Sequence, residues 1–298
     1  MSRPARLAVG VISAGRVGSV LGAALDRAGH PVVAASGIST ESVRRAEALL
    51  PEVPLLPADE VARRADLVLL AVPDDELAQV VSGLVDTGAL RTGQIVVHTS
   101  GAHGVGVLRQ AAEHGVLPVA LHPVMTFNGR LEDLDRLGTS CVGVTARPDD
   151  EAAAHVGAAL TVEMGAEPVQ VPEEARSLYH TALAHGANHL VTLVADCAEL
   201  LRGGGVDNAE RLLGPLLSAA LDNALRRGDQ ALTGPVARGD TGTVRDHLDV
   251  LAKRRPELTC SYSELARRTV ARAGANGMLT YNTVVEFNGL LDEVGGAQ

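Results

Sequence analysis

A chain of 298 residues, 46% apolar and 21% charged, has the composition of a soluble globular protein and the length for two domains with cores of their own. A net charge of −10 argues against a nucleic-acid partner, whose phosphates would have to be neutralised by Lys and Arg. No apolar run reaches the ~18 residues of a membrane span, the first is too short for a signal-peptide core, and Cys141, Cys197 and Cys260 are too scattered for a disulfide framework or zinc knuckle, so a cytoplasmic protein without a membrane partner is expected.

Leu7–Ile12 is an apolar run of strand length. It meets a turn at Ser13–Gly18 and passes into helical spacing at Val17, Val20, Leu21 and Leu25. The turn reads S-x-G-x-x-G, a variant of the dinucleotide pattern with Ser13 in place of its first glycine. Ser13, Gly15, Arg16, Val17 and Gly18 are therefore expected at a pyrophosphate, which the helix N-terminus would attract. A P-loop is excluded, because Arg16 and Val17 stand where Lys and Ser/Thr would be needed.

Pro31–Ala35 predicts the second strand, after which NAD enzymes usually carry Asp or Glu for the ribose hydroxyls. Here the chain has Ser36, Gly37, Ser39 and Thr40, followed by Arg44 and Arg45. Hydroxyls and guanidinium groups suit a 2′-phosphate, so NADP is favoured, with Ser36, Ser39 and Arg44 as its contacts. Ser39 could equally cap the helix expected from Glu41 to Leu50.

Further strands are expected at Asp66–Val72, Gln94–His98 and Leu117–Leu121, with a helix after Pro73. Val72, Pro73, Thr99, Ser100 and His122 fall at the carboxyl ends of these strands, where ligands bind in doubly wound sheets. Thr139–Thr145 and Pro168–Val171 read as the last strands, around a helix from Asp149 to Met164. Beyond Pro172 the pattern becomes helical, at 173–201, 207–227, 241–253, 261–273 and 282–291. The expected fold is α/β, a doubly wound parallel sheet over 1–172 followed by an all-helical domain over 173–298 that binds substrate and dimerises. Leu183, Ala187, Leu190, Val194, Cys197 and Leu201 form a helix-packing seam, and Gly295–Gln298 should fray.

In such an arrangement the substrate is expected where the two domains meet. His180, Ala184 and Asn188 lie on one helical row, so His180 could donate a proton and Asn188 could hold the substrate oxygen; both could also be satisfied interhelical polar groups. His185 and His189 have the i, i+4 spacing of a zinc pair, but Gly186 replaces the glutamate of H-E-x-x-H and no third ligand is recognisable, so no metal is expected. The loop Ala231–Asp240 offers Arg238 to grip a carboxylate and Thr233 as a weaker contact, while Asp240 has the position of a helix N-cap.

Val-Ile-Ser-Ala-Gly-Arg-Val-Gly, Asp-Leu-Val-Leu-Leu-Ala-Val-Pro-Asp, His-Thr-Ser-Gly-Ala, Leu-His-Pro-Val-Met-Thr-Phe, Tyr-His-Thr-Ala-Leu-Ala-His-Gly-Ala-Asn and Ala-Leu-Thr-Gly-Pro-Val-Ala-Arg-Gly-Asp together carry a resemblance. The chain resembles Rossmann-like oxidoreductases with a helical C-terminal domain of unknown function. These belong to the 6-phosphogluconate dehydrogenase superfamily, with ketopantoate reductase, pyrroline-5-carboxylate reductase and 3-hydroxyisobutyrate dehydrogenase as relatives. The resemblance implies hydride transfer to a small 2-oxo acid, with His180 standing where ketopantoate reductase has a lysine acid and Asn188 on an asparagine of that helix. Imine reduction and prephenate-type oxidation belong to the same superfamily, NAD or a deazaflavin are alternative cofactors, and a nucleotide-binding regulator without turnover is the rival from another class. A small carboxylate substrate and a homodimer are the expected partners.

Overall fold

The computed structural model describes residues 6–295, so residues 296–298 of the tail expected to fray lie outside it. The chain divides into two compact units, Met1–Ala184 and His185–Gln298.

In the first unit, β1 (Val9–Ile12), α1 (Arg16–Arg27), β2 (Val32–Ala35), α2 (Thr40–Leu49), α3 (Ala58–Arg64), β3 (Leu67–Leu70), α4 (Asp74–Asp86) and β4 (Ile95–His98) alternate strand and helix. After α5 (Arg109–Ala112) come β5 (Leu117–Pro123), α6 (Glu132–Leu137), β6 (Cys141–Thr145), α7 (Glu151–Glu163) and β7 (Glu167–Gln170). The described strands form one sheet in the order β2-β1-β3-β4-β5-β6-β7. All neighbours are parallel except β5 and β6, which run antiparallel. The doubly wound parallel sheet expected from the sequence is thus present with one antiparallel step. The chain between β5 and β6 carries only the short α6, and without a full crossover helix it reverses direction to lie beside the strand it has left.

The sheet is apolar on both faces because helices cover both. Leu67 and Leu69 of β3 join Val9, Val11, Val119 and Leu121 beneath α1 and α7, whereas Val68 and Leu70 join Ile12 and Val96 beneath α3 and α4. This is the period of two expected of a strand, with every residue buried. Each fully buried Leu or Val contributes about 1.5–3 kcal/mol relative to exposure. Gly22 lets α1 approach β1, since a Cβ there would lie 2.9 Å from Val11 Cγ2.

After Pro172, a 3-10 turn at Glu173–Ala175 leads into the long helix α8 (Arg176–Gly203). The division between units falls within α8 rather than at Pro172. Its first turn buries the Arg176 side chain against β5 and β6, so these residues pack with the sheet. In the second unit follow α9 (Ala209–Arg227), α10 (Gly234–Arg238), α11 (Thr241–Arg254), α12 (Thr259–Ala275) and α13 (Tyr281–Gly295). Val244, Leu248, Val270, Phe287 and Leu291 form its main core. The segment Ala231–Asp240, expected as a loop, contains α10, with Pro235 in its first turn and Gly239 as a left-handed C-cap. Of the predicted α8 seam, none is fully buried, and Ala187 and Leu190 are exposed. Among the described residues no helix is long and apolar enough to cross a membrane.

Candidate functional site

The glycine turn is built as its spacing suggests. Ser13 takes φ 73°, the left-handed conformation usually given to glycine, and is the sole non-glycine among the described residues to do so. Its N–H donates to Ser36 Oγ at 3.0 Å, and Ala14 N–H donates to Ser36 O at 2.7 Å, so the end of β2 pins the turn. At Gly18 a Cβ would lie 2.2 Å from Ser13 O, so this glycine is required by packing of α1 on the turn. At Gly15 the nearest atom to a Cβ would be Ser13 Oγ at 3.7 Å, so the chain itself does not require glycine there. Gly15 is also the N-cap of α1 without a side-chain cap, and no acidic residue occupies the first turn. The first N–H groups of α1 therefore have no side-chain acceptor at the cap and suit an anion. Arg16 is exposed and Val17 half-buried at the same turn.

At the end of β2 the candidates separate. The Ser39 hydroxyl caps α2 by accepting from Ser42 N–H at 3.1 Å, so local capping accounts for it. Arg44 is 69% exposed and pairs with Glu41 at 3.4 Å. Arg45, only 26% exposed, pairs with the same Glu41 at 3.7 Å and lies against the Gly129 loop together with Arg16. A Cβ on Gly129 would lie 2.7 Å from Arg45 Cδ and 3.1 Å from Arg16 Cγ. The buried Asp133 carboxylate fixes that loop by accepting from the N–H groups of Asn128 and Gly129 at 2.7 and 2.8 Å. The two guanidinium stems thus converge on the Gly129 loop beside the turn.

At the end of β3, Val72 is half-buried and Pro73 is the exposed N-cap of α4. At the end of β4, His98 is buried. Its Nδ1 accepts from Ser100 N–H at 3.2 Å, which leaves the proton on Nε2 to donate to Gly104 O at 2.9 Å. Burial pushes His98 down to about 4, so it acts as a neutral brace for the turn. Ser100 is buried with Oγ accepting from His103 N–H, while Thr99 is half-buried. Glu173 fixes the following segment, its carboxylate accepting from Val105 and Gly106 N–H at 2.7 and 2.9 Å.

Three imidazole and phenol groups gather around Gly101. A Cβ on this buried glycine would lie 2.7 Å from His180 Cδ2 and 2.8 Å from His122 Nε2. The His122 and His180 rings meet edge to face with centroids 6.2 Å apart. His122 Nδ1 and the Tyr179 hydroxyl are hydrogen-bonded at 2.8 Å. The phenol lies over β6 at Gly143, the residue paired with His122, where a Cβ would be 2.6 Å from Tyr179 Oη. Burial, then the Arg176 guanidinium and His180, push His122 down to about 4, against the opposing pull of Asp74. His122 is therefore a neutral imidazole near neutral pH.

Arg176 stands behind this pair and is 2% exposed. Its Nε donates to Thr145 Oγ1 at 2.8 Å, Nη1 to Ser100 O at 3.3 Å, and Nη2 to Gly143 O and Ala120 O at 3.0 and 3.4 Å. All are neutral oxygens. The guanidinium also lies 5.5 Å from the centroid of the Tyr179 ring. Burial lowers its pKa, but a guanidinium keeps its proton, so a positive charge is held beside the cluster.

Of the residues expected to carry chemistry, the first unit brings His122, Ser100 and His180 together. Asn188, Arg238 and Thr233 belong to the second unit and are exposed there. Asp240 caps α11, accepting from Thr243 N–H at 3.0 Å, as the capping alternative anticipates. His185 and His189 touch through their Nδ1 atoms at 2.8 Å, and among the described residues no group of three or more His, Cys, Asp or Glu side chains is placed to hold a metal ion. Sequence reasoning did not single out Arg176, Tyr179, Gly101, His98 or Arg45 as site residues. The spacing from Arg176 to Tyr179 and His180, i to i+3 and i+4, is the signal that could have grouped them on one helical face.

A Rossmann-like domain model matches residues 1–123, and the model of a domain of unknown function, DUF2520, matches residues 140–269. No curated protein matches the chain. Among solved structures, the chain is similar to a Bacteroides fragilis protein described as an NADP oxidoreductase, at 22% identity with a TM-score of 0.74, over 89% of this chain and 98% of that one. It is similar to a Plasmodium falciparum pyrroline carboxylate reductase with NADP bound, at 11% identity and TM-score 0.56, over 90% and 97% of the two chains. A variant imine reductase of Myxococcus stipitatus in complex with NAD+ is similar at 18% identity and TM-score 0.60, over 95% and 99%. These likenesses establish the fold.

Proposed function

We propose that this chain, which belongs to the proteins that join a Rossmann-like domain to a DUF2520 domain, is an NADP-dependent oxidoreductase that reduces a small 2-oxo acid. The observation that carries this reading is that His122, with His180 of α8 beside it, lies toward the carboxyl end of β5 in the same sheet whose first βα turn, after β1, suits a pyrophosphate. Gly15 and the uncapped N-terminus of α1 fit the pyrophosphate, Gly18 sets α1 close to the turn, and Arg16 and Arg45 fit the 2′-phosphate. Val72, Pro73, Thr99 and Ser100 would border the nicotinamide. Bound reduced NADP supplies a hydride. The chain supplies the other requirements: the neutral His122 imidazole, with His180 beside it, to polarise the substrate oxygen and give it a proton, and the buried charge of Arg176 to favour negative charge nearby.

Reduction of a C=N bond is the second reading, favoured by the imine and pyrroline carboxylate reductases among the similar structures. The same histidine pair would protonate nitrogen instead of oxygen. Loss of nicotinamide absorbance with a panel of 2-oxo acids and cyclic imines tests both readings. NADPH binding without oxidation by any member of the panel would replace them with a nucleotide-binding regulator.

A homodimer is part of the proposal. Leu212, Leu216, Leu221 and Leu225 of α9 are all more than half exposed, and a second copy would cover such a stripe. The molar mass in solution at micromolar concentration tests it, and a monomer would contradict it.

A further inference from the structure

Resting on the oxidoreductase reading, we propose that the proton given to the reduced substrate originates on Tyr179 and passes through His122, with Arg176 as the counter-charge to the tyrosinate left behind. The positive charge beside the phenol sets the direction. Among the described residues, the Tyr179 hydroxyl has one hydrogen-bond partner, His122 Nδ1 at 2.8 Å. Either tautomer leaves one hydrogen without a protein acceptor: the phenol hydrogen if Nδ1 carries the imidazole proton, the Nε2 hydrogen if the phenol donates. With the Arg176 guanidinium 5.5 Å from the centre of its ring, the phenol is the better donor, so it donates to Nδ1 and the neutral imidazole carries its own proton on Nε2. That atom faces Gly101 beside His180 and has no protein acceptor among the described residues. A donor held in this way is suited to a substrate oxygen or nitrogen.

Arg176 explains why the relay can discharge. A buried guanidinium is normally neutralised by a carboxylate, yet all four of its hydrogen-bond acceptors are uncharged. Glu173 is near, but its two oxygens are taken by Val105 and Gly106 N–H. The other ionisable groups bearing on the pair are His180 on α8, Asp74 at the start of α4 and Cys141 on β6. Burial raises the Tyr179 phenol above its ordinary range and Arg176 pulls it back. The tyrosinate is thus the anion for which Arg176 provides a charge.

The step conserves protons and electron pairs. Reduction of a carbonyl carbon by a reduced nicotinamide leaves an electron pair on its oxygen. That oxygen bonds the Nε2 proton while the N–H pair stays on nitrogen. Nδ1 bonds the phenol proton while the O–H pair stays on Tyr179 Oη. The product gains one proton, His122 ends neutral with its tautomer reversed, and Tyr179 and His122 are reset by a proton from water. An alkoxide is much more basic than a phenolate, so the transfer runs downhill.

Two readouts test the relay, the first without cofactor or substrate. In protein labelled with 15N-histidine, the His122 resonances should report the Nε2–H tautomer, and Tyr179→Phe should convert them to a mixture. A His122 carrying its proton on Nδ1 in the unsubstituted protein would overturn the proposal. The chain has three tyrosines and no tryptophan, so phenolate absorbance can be followed, with Tyr179→Phe identifying the component from Tyr179. Arg176→Gln should raise its midpoint by about one pH unit or more, and Arg176→Lys should restore most of the shift. An unchanged midpoint in folded Arg176→Gln would overturn the counter-charge; if that variant does not fold, the Arg176→Lys midpoint and the His122 tautomer decide. With an active substrate, Tyr179→Phe should slow single-turnover NADPH oxidation about 10²-fold without changing NADPH affinity. Normal turnover in that variant overturns the relay and leaves the oxidoreductase reading intact. Failure of the unsubstituted protein to oxidise NADPH overturns that reading, whatever tautomer His122 shows.

Discussion

Replacing Gly101 with alanine tests whether chemistry occurs between His122 and His180. The added methyl would lie 2.7 Å from His180 Cδ2, 2.8 Å from His122 Nε2 and 3.0 Å from His122 Cε1. To reach an ordinary contact of about 3.4 Å, one or both rings must retreat by about 0.7 Å. His122 cannot retreat freely, because Nδ1 is held by Tyr179 at 2.8 Å. Overpacking of this kind costs about 1–3 kcal/mol of stability, measurable by denaturant unfolding. A displacement approaching 1 Å at the reacting groups costs about 10²-fold in rate. NADPH affinity, measured by nicotinamide fluorescence, should be unchanged, while kcat/KM falls by about that factor. A Gly101→Ala protein with normal kcat/KM would show that the imidazole pair is not where the substrate reacts.

The two glycines of the first turn should separate cleanly. Gly18→Ala places a methyl 2.2 Å from a backbone oxygen and should lower the unfolding midpoint markedly, whereas Gly15→Ala should fold like the parent and lose about tenfold or more in NADPH affinity. Arg45→Ala should weaken NADPH by about tenfold or more while sparing NADH, with Arg44→Ala nearly silent, as direct titrations would show. Acid should destabilise the first unit. His98 and His122 stay neutral in the fold down to about 4 but take up protons in the unfolded chain from about 6.5. The unfolded state then binds more protons, so stability falls as pH drops from 6.5 to 4, by on the order of 3 kcal/mol per histidine at the lower limit. Urea unfolding at both pH values checks the sign, and His98→Gln or His122→Gln should flatten the dependence.

Most of the first unit is legible because each determinant is local. The apolar run at Asp66–Val72 and the glycine spacing of the first turn follow from strand burial and from backbone sterics. The strand ends differ from the expected ones by a residue or two in both directions, β3 being shorter than Asp66–Val72 and β5 running past Leu121 to Pro123, because the last ladder hydrogen bond is set by the neighbouring strand. The short helices α3, α5 and α6 offer too few turns for a periodic signal. The antiparallel turn at β6 is a matter of connection, which composition does not encode. At the site, His122 and His180 stood out as lone histidines at a strand end and on a helix. Arg176 and Tyr179 did not, because their role depends on tertiary contacts: an arginine next to a helix start reads as a surface cation until its acceptors on β5 and β6 are known. The inward position of Arg45 depends on the Gly129 loop, which is distant along the chain and so leaves Arg44 and Arg45 alike in the sequence.

The most direct test of the oxidoreductase reading is single-turnover oxidation of NADPH by the unsubstituted protein and by His122→Gln, with 2-oxo acids and cyclic imines as acceptors. At least one acceptor should consume NADPH, and the substitution should slow that step about 10²-fold or more while leaving NADPH affinity unchanged. Bound NADPH that survives every acceptor, or equal rates in the two proteins, would contradict the assignment.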